Sequence, residues 1–285
     1  MQNLYTISTK REPQNESLTD GEKFSVFYHD IFDFPLSFSE LIKWQIGETP
    51  QVIKGGLEVS SSGGYYFLEG NNGIVYKRML RKRISAKKLE IAKKAAKKIA
   101  IFPWIKLVAV TGSLAMENCT DESDIDLMII TKRGTLWTSR LFSYLINWLT
   151  GMEVRKPSDR TQKDKLCLNL WLDESDLEWS KKDRNIYTAH EIGQIRPLIN
   201  KDKTYEEFVS KNKWILKHWP NAVKIRNLSL APKNSNFKAG LVEKMAYTLQ
   251  RVYMKSKITR EVVTPTRAIF HPLDWGQVVM GRLSS

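Results

Sequence analysis

The middle of the chain alternates apolar runs with turn residues in a way that predicts a mixed α and β core. Residues 108–110 and 127–130 are uninterrupted apolar runs, which are typical of buried strands. Apolar residues at alternate positions predict a further strand over residues 166–172. Leu136–Leu149 has apolar residues at helical spacing, with enough polar interruptions to favour a buried amphipathic helix over a membrane span. We therefore expect the core to occupy residues 85–180.

The two ends of the chain follow different patterns. Residues 1–18 are polar and show no periodicity, which predicts a mobile tail. Residues 181–285 show helical periodicity that is interrupted by prolines, and a proline cannot continue a helix. This pattern predicts an all-helical C-terminal domain.

The pattern between the tail and the core predicts a small module over residues 19–84. An aromatic-rich run predicts a first helix, and Ser37 or Ser39 is a candidate N-cap for a second. A third helix is predicted around residues 51–57. Apolar runs on both sides of Asn71-Asn72-Gly73 then predict a hairpin with that turn. Three helices followed by a hairpin resemble a winged helix-turn-helix, and the resemblance implies a winged-helix-like module.

Charge and cysteine content narrow the class of protein. The chain has 285 residues, a formal net charge of +14 and a pI of about 9.6, which favours an anionic partner. Its two cysteines, Cys119 and Cys167, give neither a disulfide framework nor a paired zinc-binding spacing. No apolar stretch is long enough to cross a membrane and the first residues lack a signal-peptide core, so we expect a cytoplasmic protein without a membrane partner.

Most of the positive charge falls in residues 77–98, which contain eleven basic residues and a single acid, Glu90. The basic residues are Lys77, Arg78, Arg81, Lys82, Arg83, Lys87, Lys88, Lys93, Lys94, Lys97 and Lys98. Apolar residues recur among them at roughly helical spacing, and Ser85 is a candidate N-cap, so the segment predicts an amphipathic helix. Its basic outer face is either a solvated surface or a surface that binds the phosphates of RNA or DNA.

The residues best suited to chemistry lie between the first two predicted strands. Gly112 and Ser113 follow the first strand, and Asp124 and Asp126 begin the second. Residues two apart on a strand point to the same face, so the two carboxylates repel each other unless a cation lies between them. Carboxylate oxygens are ligands that suit Mg²⁺, with water and phosphate oxygens completing its coordination.

A Gly-Ser pair separated by ten residues from Asp-x-Asp resembles the signature of the DNA polymerase beta-like nucleotidyltransferase superfamily. The resemblance implies a metal-dependent transfer of a nucleoside monophosphate from a nucleoside triphosphate, such as ATP, to an acceptor. It implies that Gly112 and Ser113 bind the triphosphate. It also implies that Asp124 and Asp126 bind Mg²⁺, with two ions expected.

Further short motifs extend a likeness to uncharacterised bacterial nucleotidyltransferase-domain proteins over most of the chain. They are Thr188-Ala-His-Glu-Ile-Gly-Gln, Asn212-Lys-Trp, Trp219-Pro-Asn and Phe270-His-Pro-Leu-Asp. The likeness implies no particular acceptor. His190-Glu191 lacks the second histidine of a zinc-protease motif, because position 194 is Gln, so His190 is predicted to pack or to face a substrate.

The third catalytic acid that the superfamily implies is not obvious. The middle of the predicted strand at residues 166–172 carries Asn169, which cannot act as a base. Strict alternation would put Asp173 on the same face as Asn169, and Glu153 is another candidate. Three interpretations stay open: Asp173 completes the site, two acids suffice, or the site is impaired.

Two functions fit these observations. The leading one is a Mg²⁺-dependent nucleotidyltransferase with Asp124, Asp126 and Asp173 as catalytic acids. Its acceptor is an RNA end, a protein side chain or a small hydroxylated molecule, and the basic segment slightly favours nucleic acid. The alternative is a nucleic-acid-binding regulatory protein with an inactive nucleotidyltransferase fold. Asn169 favours the alternative, whereas the intact Gly-Ser and Asp-x-Asp motifs favour the enzyme.

Overall fold

A computed structural model describes residues 18–47, 58–71, 73–156, 159–225, 240–255, 261–270 and 275–284. The helices in this part of the chain are α1 (Asp20–Asp30), α2 (Phe38–Lys43), α3 (Ile74–Ile99), α4 (Gly112–Ala115), α5 (Leu136–Leu149), α6 (Ile186–Gln194), α7 (Thr204–Lys211), α8 (Leu241–Met254) and α9 (Trp275–Ser284). The strands are β1 (Leu36–Ser37), β2 (Val59–Ser62), β3 (Tyr65–Leu68), β4 (Ile105–Val110), β5 (Ile125–Thr131), β6 (Leu166–Asp173), β7 (Arg196–Asn200), β8 (Val262–Val263) and β9 (Arg267–Ile269).

A six-stranded mixed sheet in the order β7-β4-β5-β6-β9-β8 forms the centre of the protein. β5 and β6 are parallel, whereas the other neighbouring strands in this sheet are antiparallel. β4, β5 and β6 are buried along most of their length, which explains their nearly continuous apolar runs. The predicted α+β fold class with a mixed-sheet core is therefore confirmed.

A β-bulge in β6 changes which residues share a face of this sheet. Asp126 pairs with Cys167, but Met128 pairs with Leu170, so two residues of β6 lie opposite one residue of β5. Leu168 packs into one hydrophobic core, whereas Leu170 packs into the other on the opposite face. The prediction of strict alternation along this strand is therefore wrong.

Each face of the sheet is covered by its own hydrophobic core. α3, α5 and α8 cover one face, where Ala96, Trp137 and Ala246 pack against the strands. The N-terminal elements and α6 cover the other face, where Trp44 and Trp219 lie in one buried cluster with residues of β4, β5 and β6. The N-terminal module and the sheet thus share a core.

The N-terminal elements follow the predicted order only in part. α1 and α2 are present, and the Ser37 hydroxyl accepts a hydrogen bond from the Glu40 amide, which confirms Ser37 as an N-cap. The predicted helix around residues 51–57 lies outside the described residues. β1, β3 and β2 form a small antiparallel sheet in that order. A winged-helix module stays a prediction.

Two local predictions in this region are wrong. The hairpin connects β2 and β3, so its turn is Gly63-Gly64 and not residues 71–73. Ile74 begins α3, so Ser85 lies inside the helix, where its hydroxyl accepts a hydrogen bond from the Cys119 amide. The predicted boundary between residues 84 and 85 consequently falls within a continuous helix.

The C-terminal part of the chain is not all-helical, contrary to the prediction for residues 181–285. It supplies β7 at one edge of the central sheet and β8 and β9 at the other. β7 follows α6 directly, because Pro197 cannot continue a helix but is tolerated on an edge strand. Among the described helices, none combines the length and the apolar character that a bilayer-crossing segment needs.

Candidate functional site

The loop after β4 and the start of β5 come together as the sequence predicts. Gly112, Ser113, Asp124 and Asp126 all line a cavity of about 490 Å³ between the sheet, the N-terminal module and α6. Gly112 has a φ of +57°, and a Cβ atom at this position would lie 2.7 Å from Oδ2 of Asp126. Glycine is therefore required here both by the backbone conformation and by the close approach of a carboxylate.

The negative charge of Asp126 has few favourable contacts to stabilise it within the cavity. The Asn169 Nδ2 donates a hydrogen bond of 2.7 Å to its Oδ1. Burial and the neighbouring charge of Asp124 nevertheless raise the pKa of Asp126 to about 7. A cation bound beside these carboxylates would remove this repulsion and displace the proton.

Arg155 is the protein's own cation in this cavity, and sequence reasoning missed it. Its Nη1 donates to Oδ2 of Asp124 over 2.8 Å and lies 3.8 Å from Sγ of Cys167. Arg155 lies in the loop between α5 and β6, and its amide donates to the Leu166 carbonyl. The sequence contains no motif that would bring this loop to Asp124.

Cys167 is the second site residue that the sequence analysis did not identify. The candidate ligand atoms of Asp124, Asp126 and Cys167 all lie within 4.8 Å of one another. The parallel pairing of Asp126 with Cys167 across β5 and β6 explains this proximity. Burial and the two carboxylates raise the pKa of the Cys167 thiol well above its ordinary value, so the thiol is neutral at physiological pH.

Asn169 completes the polar surface of the cavity beside Cys167. It is 6% exposed, and its Oδ1 atom has no hydrogen-bond partner among the described residues. A buried carbonyl oxygen without a partner carries a desolvation cost unless a ligand satisfies it. Two carboxylates, a thiol and this free amide oxygen form a donor set that fits a divalent cation.

α6 contributes an acid to the same cavity. Burial and the charge of Asp126 raise the pKa of Glu191 to about 8, and Gln194 donates a hydrogen bond of 2.6 Å to its Oε1. His190 also lines the cavity, and its Nε2 lies 3.1 Å from Nε2 of His29. Burial lowers the pKa of His29 to about 4 and that of His190 well below its ordinary value, so both rings are neutral. His190 is therefore a packed residue at the cavity wall.

Asp173 does not join this site, which corrects the prediction that it is the third acid. It pairs with Thr131 at the far end of β5, whereas Asp126 pairs with Cys167 near the beginning of that strand. The bulge in β6 also turns Asp173 to the opposite face of the sheet. Its carboxylate accepts hydrogen bonds from the amides of Gly134 and Ser175 and from the Ser175 hydroxyl. Asp173 therefore joins the loop after β5 to the loop after β6 through these hydrogen bonds.

Glu153, the other candidate for the third acid, is also elsewhere. Its side chain is 74% exposed and forms an ion pair with Lys165 at 3.7 Å. It does not line the cavity. The acid that the cavity does contain in addition to Asp124 and Asp126 is Glu191, which lies on a helix and not on a strand.

The basic residues of α3 divide into an inner and an outer group. Arg78, Arg81 and Lys88 bind groups within the protein, among them Glu40, the Glu117 carbonyl and Asp164. These interactions join α3 to the N-terminal module and to the loop that precedes Asp124. The exposed basic side chains of the helix are Lys77, Lys82, Arg83, Lys87, Lys93, Lys94 and Lys97.

Residues 89–188 match the family model described as a nucleotidyltransferase domain. The matched range begins in α3 and ends in α6, so it contains Gly112, Asp124, Asp126 and Arg155. No curated protein matches the chain. The family match confirms the nucleotidyltransferase resemblance on which the sequence-based interpretation of these residues depends.

Proposed function

The chain contains a nucleotidyltransferase domain and is a nucleotidyltransferase enzyme, and we propose that it transfers a nucleoside monophosphate to a hydroxyl group of a nucleic acid. An oxygen of the acceptor forms a bond to the α-phosphorus of the nucleoside triphosphate. The bond from that phosphorus to the oxygen that bridges to the β-phosphate breaks, and pyrophosphate leaves. The observation that carries this proposal is the convergence of Gly112, Ser113, Asp124 and Asp126 in one cavity.

Gly112 and Ser113 are the residues that we propose for binding the triphosphate. The absence of a side chain at Gly112 allows the phosphates to approach the backbone next to Asp126. The Ser113 hydroxyl lies 3.3 Å from Sγ of Cys119, a weak hydrogen-bonding partner that a phosphate oxygen can replace. Arg155 lines the same cavity and supplies a positive charge for the phosphates.

Asp124 and Asp126 are the proposed ligands for Mg²⁺, with two ions expected. When bound, the cation supplies positive charge that neutralises the triphosphate and stabilises the charge that develops on the leaving oxygen. The carboxylates fit this role because their mutual repulsion raises the pKa of Asp126. The unpartnered Oδ1 of Asn169 offers a further oxygen beside them.

Glu191 is the group that we propose for accepting the proton of the acceptor hydroxyl. Glu191 lies on α6 and lines the cavity, and burial together with Asp126 raises its pKa to about 8. A base whose pKa is near the working pH is suited to taking up a proton and releasing it again. This assignment replaces Asp173, whose carboxylate is already fully engaged.

Nucleic acid is the acceptor that the charge distribution favours. The exposed basic side chains of α3 extend along one helix, and Arg81 of the same helix donates to Asn118, which lines the cavity. The hydrogen bond from Arg81 to Asn118 thus links this basic helix to the lining of the proposed catalytic cavity. The number of phosphates that a protein neutralises determines how steeply binding weakens with salt.

The test of the transferase proposal combines binding with turnover. Each nucleoside triphosphate is titrated into the wild-type protein and into an Asp124→Asn/Asp126→Asn double variant, with and without Mg²⁺. Transfer of labelled monophosphate to RNA and DNA oligonucleotides is then measured. We expect Mg²⁺-dependent binding and transfer in the wild type and in the matched control Glu153→Gln, whose carboxylate is exposed and outside the cavity. Wild-type protein without triphosphate binding, or Mg²⁺-dependent binding that persists in the double variant, would refute the proposed site.

A second experiment addresses the acceptor and the alternative of an inactive nucleic-acid-binding fold. Lys87, Lys94 and Lys97 are replaced by Gln, and the salt dependence of oligonucleotide binding is compared with that of the charge-matched control Lys181→Gln/Lys182→Gln/Lys244→Gln. We expect a shallower dependence only in the α3 variant, by roughly one in the logarithmic slope for each phosphate that the variant no longer neutralises. Binding without any nucleotide transfer would support the inactive fold, and equal slopes in both variants would remove the nucleic-acid acceptor.

A further inference from the structure

The ligand set in the cavity contains a sulfur atom in addition to oxygens. Asp124, Asp126 and Cys167 offer two carboxylates and one thiol whose ligand atoms lie within 4.8 Å of one another. Mg²⁺ is a hard cation that binds oxygen and gains little from sulfur, whereas Zn²⁺, Co²⁺ and Cd²⁺ bind thiolate well. Cys167 donates a hydrogen bond to Asp126 in the free protein, and its sulfur is the member of this ligand set that favours a thiophilic cation over Mg²⁺.

A second, independent observation also indicates that the position accommodates a ligand. Asn169 is only 6% exposed, its Nδ2 donates to Asp126, and its Oδ1 has no partner among the described residues. Asn169 lines the cavity beside Cys167, so this oxygen is available to a ligand there. Asn169 and Cys167 both line the cavity, and they are two residues apart on β6.

The position also attracts a positive charge from within the protein. The guanidinium of Arg155 lies 2.8 Å from Asp124 and 3.8 Å from the sulfur of Cys167. It contacts two of the three candidate ligands, and its side chain is 30% exposed, which leaves room for movement towards solvent. A bound cation and Arg155 would compete for Asp124, so removal of Arg155 should strengthen cation binding.

We propose that Asp124, Asp126 and Cys167 form a site for a thiophilic divalent cation such as Zn²⁺, which binds in place of Mg²⁺. The metal–sulfur bond forms as the thiol proton leaves to solvent, so Cys167 binds as the thiolate. This inference rests on the proposed function only for its consequence: a cation held by sulfur occupies the carboxylates that Mg²⁺ needs. Zn²⁺ then inhibits nucleotide transfer through Cys167.

The direct test measures metal binding without turnover. Co²⁺, Cd²⁺ and Mg²⁺ are titrated into the full chain, Co²⁺ binding is followed by sulfur-to-cobalt charge-transfer absorption, and the variants are Cys167→Ser, Asp126→Asn and Cys119→Ser. Cys119 is the matched control, because it is the other cysteine of the chain and does not line the cavity. We expect Cys167→Ser to abolish the charge-transfer absorption and to weaken Cd²⁺ binding by about tenfold or more, with Mg²⁺ affinity changed less than about twofold. Cys119→Ser should retain the wild-type values.

Three outcomes would overturn the proposal. They are charge-transfer absorption that persists in Cys167→Ser, Cd²⁺ affinity that is equal in Cys167→Ser and wild type, and Cd²⁺ affinity unaffected by Asp126→Asn. The last would mean that the thiol binds metal alone. An Arg155→Gln variant should bind Cd²⁺ more tightly than wild type, and weaker binding would contradict the proposed competition.

A turnover experiment distinguishes failure of this inference from failure of the transferase proposal. Zn²⁺ should inhibit Mg²⁺-supported transfer in the wild type at concentrations about tenfold lower than in Cys167→Ser. Equal inhibition of both proteins would sink the sulfur site while leaving the transferase intact. Thiol-dependent Co²⁺ binding in a protein that transfers no nucleotide would uphold the metal site and reject the transferase.

Discussion

Asp126 and Asp173 are carboxylates on neighbouring parallel strands, and they differ in their hydrogen-bond partners and charged neighbours. Both are removed from bulk water, which raises the pKa of each above its ordinary value. Asp173 accepts hydrogen bonds from two backbone amides and a hydroxyl. Asp126 accepts hydrogen bonds from the Asn169 amide and the Cys167 thiol, and it lies beside the like charge of Asp124. Asp173 is satisfied by the chain itself, whereas Asp126 is left for a ligand.

The two carboxylates thus differ in their hydrogen-bond partners and charged neighbours, although burial raises the pKa of both. A structural carboxylate has its hydrogen-bond acceptors filled by donors whose positions the fold determines. A functional carboxylate is held in place but incompletely compensated, because the remaining interaction must come from the ligand. The unfavourable electrostatic energy of such a carboxylate in the free protein is offset when the ligand binds. The variants below test this contrast.

Loss of activity in Asp126→Asn should be the largest effect. The amide keeps the size of the side chain but removes the charge that the proposed cation needs, so kcat/KM should fall by about 1000-fold, equivalent to roughly 4 kcal/mol. The measurement is nucleotide transfer at saturating Mg²⁺. Asp173→Asn is the matched comparison, and a loss of similar size there would contradict the division between the two carboxylates.

The same Asp126→Asn variant should be more stable than wild type in EDTA. The pKa of Asp126 is about 7 in the folded protein against an ordinary value of 3.8, so between these pH values the folded protein retains a proton that the unfolded chain releases. Stability from this group therefore falls as the pH rises from about 4 to about 7. The shift of this pKa corresponds to about 4 kcal/mol, so we expect the variant to gain up to about 4 kcal/mol at pH 8 and almost nothing at pH 4, as measured by urea unfolding. A variant less stable than wild type at pH 8 would indicate that Asp126 is structural.

Gly112→Ala should impair activity through the position of Asp126. The new Cβ would lie 2.7 Å from Oδ2 of that carboxylate, and the backbone φ of +57° adds strain of about 1–2 kcal/mol. We expect transfer to fall by about 10- to 100-fold. Gly151→Ala is the matched control, because Gly151 has a φ of +67° and a Cβ atom there would meet nothing within 4 Å. Equal losses of activity in both variants would attribute the effect to backbone strain alone.

The smallest expected effect is the loss of stability in Asp173→Asn. The side-chain NH₂ group of the new Asn is a donor, so it cannot accept the hydrogen bond that a carboxylate oxygen accepts from a backbone amide or hydroxyl. One hydrogen bond is therefore lost, and the free energy of unfolding should decrease by about 1–2 kcal/mol. Transfer by the folded protein should change less than about threefold. Chemical unfolding and steady-state kinetics on the same preparation measure both quantities. Unchanged stability combined with a large loss of turnover would restore Asp173 as a catalytic candidate.

The parts of the fold that depend on local patterns were predictable from the sequence. α5 occupies Leu136–Leu149 as predicted, because its apolar spacing is regular over the whole helix. Ser37 was one of two N-cap candidates in the sequence, and it caps α2 with Glu40 completing a capping box. β7, β8 and β9 were not predicted, because short edge strands are held by pairing with residues distant in sequence.

The candidate site was also predictable only where its residues belong to one local motif. Gly112, Asp124 and Asp126 form a motif in one short stretch, so their proximity follows from a single turn between two strands. Cys167, Arg155 and Glu191 come from other elements, and only tertiary structure brings them to the cavity. Regular alternation places Asp173 wrongly, because the strand that carries it contains a bulge.

That bulge allows β6 to contribute residues to both hydrophobic cores. Leu168 belongs to the core on one face and Leu170 to the core on the other, whereas Asn169 is the additional residue between them. The backbone carbonyl of Asn169 accepts a hydrogen bond from the Phe270 amide, and its side chain donates to Asp126. A single irregular step in the strand thus lets β6 support both hydrophobic cores and also place an amide group in the cavity.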